Sequence, residues 1–131
     1  MMNIRFMSLL AIMPIAACLA ASDKEAPPQH QKVTYTDAVK PILQAHCTEC
    51  HAPGQKGTKA SGLLMDSYTS LMKGTPFGPV INPGSPMSSS LYILISGKDK
   101  LTITMPHTRE PLSDDDIRTI RIWIENGAIE N

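Results

Sequence analysis

Cys47-Thr48-Glu49-Cys50-His51 sets two thiols one helical turn apart and places an imidazole directly after the second. Two thiols at that spacing can each add to one vinyl group of the same porphyrin, and the next residue then carries its imidazole under the iron. C-x-x-C-H is therefore read as the attachment signature of c-type haem, with Cys47 and Cys50 as the covalent links and His51 as an iron ligand. Three rival readings use the same residues: a reversible disulfide, half of a zinc site, and a pair of buried cysteines. Zinc wants further Cys or His ligands, and once Cys18 is set aside only His30, His46 and His107 remain. A thioredoxin-like pair belongs at a strand-to-helix junction in a βαβ unit, whereas here the pair ends a helical pattern.

The elements around this motif are short. Thr36 to Cys47 reads as a helix capped by Thr36, with Val39, Ile42, Leu43 and His46 at helical spacing and Pro41 near the end of the first turn. The segment Ala52 to Gly62 has no period and reads as a loop. A helical piece is expected from Ser67 to Met72, ended by Gly74, followed by an irregular strap broken by Pro76, Gly78, Pro79, Pro83 and Gly84. Ser85-Pro86 signals a further helix start, with Met87, Leu91, Leu94 and Ile95 on one apolar face and Gly97 as terminator. A loop from Lys98 to Pro111 precedes the clearest helix. Ser113 caps it, Asp114 to Asp116 occupy its positive first turn, and Leu112 can staple to Ile117. Ile117, Ile120 and Ile124 form its stripe with Trp123 beside them, and Asn126-Gly127 closes it. No alternating pattern of strand length stands out. The expectation is an all-α domain of three to five short helices with long loops, whose weak core is completed by one covalently bound haem c.

The first residues read as an export signal. Arg5 precedes an apolar run from Phe6 to Leu19 of about 14 residues, too short for the ~20 that span a bilayer, and small residues follow it. Ile15-Ala16-Ala17-Cys18 resembles a bacterial lipobox, in which cleavage before the cysteine leaves it as the site of lipid attachment. This predicts a signal peptide over residues 1–17, a lipid-anchored tether over 18–33 and a folded domain over 34–131. The protein would then sit in the periplasm or cell envelope, held to a membrane through Cys18. Cleavage after Ala20 or Ala21 is the alternative, and it discards Cys18 with the leader. Lysine plus arginine equals aspartate plus glutamate, 12 against 12, so no global field argues for nucleic acid as a partner.

A haem iron in an electron carrier takes a sixth ligand, and a thioether raises the potential relative to imidazole. Met65, Met72, Met87 and Met105 are the downstream candidates. Met87 and Met72 fall on helical positions and are expected in the core, and Met65 reads as packing. Met105 lies in a loop directly before Pro106, which stiffens the approach of its sulfur, and is favoured as the ligand. His46 reads as a residue near a haem edge, and Lys56, Lys59, Lys98 and Lys100 either border the crevice or form a solvated surface.

The segment from Tyr35 to Ala128 resembles the planctomycete-type cytochrome c domain, a branch of the class I cytochrome c fold. The matching pieces are Val39-Lys40-Pro41-Ile42-Leu43, the C-x-x-C-H motif, Ser61 to Ser67, Gly78 to Pro86, Ser90-Leu91-Tyr92, Met105-Pro106, Leu112 to Ile117, Trp123-Ile124 and Gly127-Ala128. The resemblance implies a class I cytochrome c-like fold, axial Met105 and a packing role for Met65. Such domains usually carry Met-Pro-Pro at the distal loop, and this chain has Met105-Pro106-His107, so His107 could compete for iron. The function expected is single-electron transfer by a monohaem carrier, not an enzyme, between redox proteins that the sequence does not identify. The alternative is a haem enzyme or gas sensor with an open or weakly ligated distal site.

Overall fold

The computed structural model describes residues 32–97, 103–107 and 109–131. Cys18, the expected signal peptide and all of the tether before Lys32 lie outside the described residues, as do His30, Lys98 and Lys100. Among the described residues there are six α-helices and no strand, in keeping with an all-α, cytochrome c-like fold.

Thr34 rather than Thr36 caps the first helical segment, its Oγ1 accepting from the Asp37 N–H at 3.2 Å. A π-helical turn over Tyr35–Val39 then runs straight into α1 (Lys40–His46). Pro41 accounts for the change of register. It stands in the first turn of α1, where its missing N–H would have been unpaired anyway, and the wider turn before it accommodates the ring. After Cys47 comes α2 (Thr48–His51), a single turn.

The loop expected after His51 is in part a helix, α3 (Lys56–Ser61), ended by Gly62 at φ 72°. This helix buries none of its own residues, so no apolar stripe announces it. Hydrogen bonds hold it instead: Thr58 Oγ1 donates to the Ala52 carbonyl at 2.9 Å and Ser61 Oγ to the Gly57 carbonyl at 2.8 Å. The next helix, α4 (Tyr68–Lys73), is capped by Ser67, whose Oγ accepts from the Ser70 N–H, and it ends at Gly74 as expected.

The helix predicted from Ser85-Pro86 is divided. A 3₁₀ turn, Pro86–Ser88, is followed by α5 (Ser90–Ser96), and the break falls at Ser89. Ser89 is fully buried. Its hydroxyl donates to the Ser85 carbonyl at 2.8 Å and accepts from the Asn82 N–H at 2.9 Å, tying the strap to the helix start. The break also turns Met87 out of phase with Leu91 and Ile95. Met87 is 66 % exposed, and the expectation that it belongs to the core is corrected. The final helix, α6 (Asp114–Glu125), follows its sequence signals closely, with Ser113 Oγ accepting from the Asp116 N–H at 3.1 Å.

The core gathers Val39 and Leu43, Leu71 of α4, Ile81 of the strap, Leu91 and Ile95 of α5, and Ile120, Trp123 and Ile124 of α6. Trp123 packs against Tyr35 and Tyr68 with ring centroids 5.6 and 6.5 Å away, and the two tyrosines meet edge-on at 5.2 Å. The polar ends of two of these rings are satisfied by one short segment: Tyr68 donates to the Ala128 carbonyl and Trp123 Nε1 to the Ile129 carbonyl, each at 3.0 Å. Burial, with lesser contributions from Glu130 and Asp66, pushes the Tyr35 hydroxyl above its ordinary range. The two ends of the domain are stitched by Thr36 N–H to the Asn131 carbonyl at 3.1 Å and Tyr35 N–H to Asn131 Oδ1 at 3.0 Å.

Ile120 is fully buried where α6 meets the rest of the core. Replacing it with alanine is expected to lower stability by about 2–5 kcal/mol in denaturant titration.

Candidate functional site

Cys47 ends α1 and starts α2. Its N–H donates to the Leu43 carbonyl at 2.8 Å, and its own carbonyl accepts from Cys50 at 3.1 Å and His51 at 2.9 Å. One turn of helix therefore carries both thiols and the imidazole, all three half-buried. They open onto a cavity of about 860 Å³, which Met105 also lines. That volume lies within the ~300–1,000 Å³ of pockets that enclose small-molecule cofactors. Leu63, Met65, Val80, Leu91, Leu94 and Ile95 supply apolar wall.

The imidazole is aimed by the chain that returns past it. His51 Nδ1 lies 3.2 Å from the Leu63 carbonyl, and a carbonyl can only accept, so Nδ1 carries the proton and Nε2 keeps its lone pair free. The His51 carbonyl in turn accepts from the Met65 N–H at 2.9 Å. Leu63 is itself placed by α3, since its N–H donates to Ser61 Oγ at 3.1 Å.

This arrangement requires α3 to lie almost against α2. A Cβ built on Gly57 would stand 2.6 Å from the Cys50 carbonyl oxygen and 3.1 Å from His51 Cε1. The sequence offers no sign of this role, because Gly57 sits in a Gly, Lys and Ser-rich stretch that reads as loop.

Burial, and secondarily the neighbouring Cys50, pushes the Cys47 thiol up to about 11. The thiolate is the attacking species in disulfide exchange, and a thiol this hard to ionise is poorly suited to that chemistry near neutral pH. Among the described residues, no three Cys, His, Asp or Glu side chains converge as a cage for a metal ion.

On the far side of the sequence, Met105 is half-buried and packs against the core, with its N–H donating to the Leu94 carbonyl at 3.1 Å. That carbonyl is one that the C-terminus of α5 leaves unpaired within the helix. Pro106 and His107 line the same cavity, as do His46 and Met65. Met72 packs against the core, and Met87 is exposed. Sequence reasoning also missed Arg109, which lines the cavity and pairs with Glu49 of α2.

Gly57→Ala is expected to force α3 off α2 and lower stability by about 1–3 kcal/mol, measured by guanidinium unfolding; a wild-type midpoint would show that the contact can relax freely.

No curated protein and no solved structure matches the chain. Residues 47–107, from the first thiol to the histidine after Met105-Pro106, match the family model described as planctomycete cytochrome C. The matched span starts after α1 and stops before α6, yet both of those helices contribute to the core on which the cavity rests. That match supports a planctomycete-type cytochrome c domain and suggests haem binding and electron transfer.

Proposed function

We propose that the protein is a monohaem electron carrier working outside the cytoplasm, with Cys47 and Cys50 as the thioether links and His51 and Met105 as the iron ligands. The observation that carries this reading is the apolar cavity onto which the C-x-x-C-H turn and Met105 both open. The donor set fits the group: two thiols, an imidazole with its Nε2 lone pair free, and a thioether. Haem, when bound, supplies a one-electron iron(III)/iron(II) couple.

The chain's own part is to fix and to shield. Cys47 and Cys50 would hold the group covalently, each through a thioether made by adding its S–H across a vinyl group. The Leu63 carbonyl holds the His51 ring in one tautomer and one orientation, so the ligand does not have to reorganise when charge moves. Leu91, Leu94 and Ile95 keep water from the wall, which suppresses side reactions. The Met105 thioether raises the potential relative to a second imidazole.

Anchoring through a lipid on Cys18, with residues 18–33 as tether, would hold this carrier at a membrane in the periplasm or cell envelope, where its donor and acceptor would be other redox proteins. The lipobox-like Ile15-Ala16-Ala17-Cys18 supports that placement. A second reading, an open-site haem enzyme or gas sensor, draws on His107, which is exposed beside Met105 and lines the same cavity.

Carbon monoxide separates the two readings. The reduced holoprotein is expected to leave its Soret band unchanged under carbon monoxide, and prompt binding would overturn the carrier assignment. Met105→Ala is expected to abolish the methionine-to-iron charge-transfer band of the oxidised holoprotein and lower its midpoint potential in redox titration. Retention of the band would move the ligand to Met65, the other methionine that lines the cavity.

A further inference from the structure

The strap after α4 forms part of the cavity wall, through Thr75, Phe77, Gly78, Pro79 and Val80. Its first residues close a tight turn. The Thr75 N–H donates to the Gly78 carbonyl at 2.9 Å, and the Gly78 N–H returns to the Thr75 carbonyl at 3.0 Å. The Thr75 hydroxyl accepts from the Phe77 N–H at 3.1 Å and donates to the Gly78 carbonyl at 3.2 Å. Two glycines allow the turn to sit this close to its neighbours. A Cβ built on Gly74 would stand 2.5 Å from the Gly78 carbonyl oxygen, and one on Gly62 would collide with the Pro76 ring. The turn is thereby set against the ends of both α3 and α4.

Phe77 stands on this turn. It lines the cavity and yet is 95 % exposed. A single exposed apolar residue needs no explanation of its own, and Met87, which is outside the cavity lining, is such a residue. Phe77 differs in that its backbone is fixed at the cavity wall. Rotation of its side chain alone decides whether the ring meets water or an apolar group seated beside it.

We propose that Phe77 is an aromatic cover for the haem, its ring packing on the bound macrocycle and keeping water from it. The proposal rests on the reading of the cavity as a haem site, and it holds whichever residue completes the iron. Phe77 ligates nothing. It acts by desolvation: the iron(III) haem core carries one more positive charge than the iron(II) core, so shielding from water disfavours the oxidised state and raises the potential.

Magnitude separates a covered ring from a solvated one. Truncating a covered ring to alanine raises the unfolding equilibrium constant about tenfold or more, whereas truncating a solvated one changes it by no more than about two-fold.

The test uses the haem-loaded full chain. In the reduced holoprotein, taken as its diamagnetic carbon monoxide adduct if the iron proves open, the Phe77 ring protons are expected to show shifts displaced by the macrocycle and Overhauser contacts to haem substituents. This reading needs no variant. Phe77→Ala is expected to raise the unfolding constant in guanidinium about tenfold and to lower the midpoint potential. Phe77→Leu, which keeps a large apolar side chain, should retain most of both, and Met87→Ala should change neither. Solvent-like ring shifts without haem contacts would overturn the cover. So would a Phe77→Ala protein with the wild-type potential and an unfolding constant within about two-fold of wild type, which would leave Phe77 as a surface residue open to a partner. A mature chain whose mass shows no added haem would overturn the haem reading and the cover with it, whereas a haem-loaded chain with a solvated ring would overturn the cover alone.

Discussion

The hydrogen bond between His51 Nδ1 and the Leu63 carbonyl is the interaction on which the site depends. It selects the tautomer, and with it the ring nitrogen that can ligate. It stands at the end of a chain of local causes. Gly57 has no side chain, so α3 approaches α2 closely; α3 ends in Ser61, whose hydroxyl receives the Leu63 N–H; Leu63 then presents its carbonyl to the imidazole. The return bond from Met65 N–H to the His51 carbonyl closes the loop, so backbone and side chain of one histidine are held by the same three-residue run.

A second set of contacts, drawn mostly from outside the matched span, supports that arrangement. Trp123, Tyr35 and Tyr68 pack in one cluster, and the C-terminal residues Ala128, Ile129 and Asn131 accept hydrogen bonds from it and from the N-terminal turn. Tyr35 stands in the π-helical turn that runs straight into α1, and the Leu43 carbonyl of α1 begins the turn that carries the thiols. The aromatic pack therefore acts on the site through α1, by fixing where Cys47 starts.

Legibility followed the kind of force involved. Where a local signal determines structure, the sequence disclosed it: Ser67, Ser113, Gly74, Gly97 and the Asp114 to Asp116 run all mark helix ends where the structure has them. The thiols and imidazole were legible because chemistry dictates their spacing. Helix α3 was not, because it has no buried face and is held by hydroxyl-to-carbonyl bonds that depend on where Ala52 and Gly57 lie in space. Met87 misled because periodicity assumes one continuous helix, and buried Ser89 interrupts it. The Leu63 carbonyl is a backbone group and leaves no trace in residue type. Arg109 and Glu49 look like ordinary solvated charges until the fold brings them together.

The two sides of the cavity are therefore built to different standards. The histidine side is secured by helical backbone bonds, a close helix contact and a carbonyl clamp. Among the described residues, the methionine side is joined to the rest by the Met105 N–H bond to the Leu94 carbonyl and by the exposed ion pair of Arg109 with Glu49. Such a division would suit the proposed carrier, since a fixed imidazole limits reorganisation on one side.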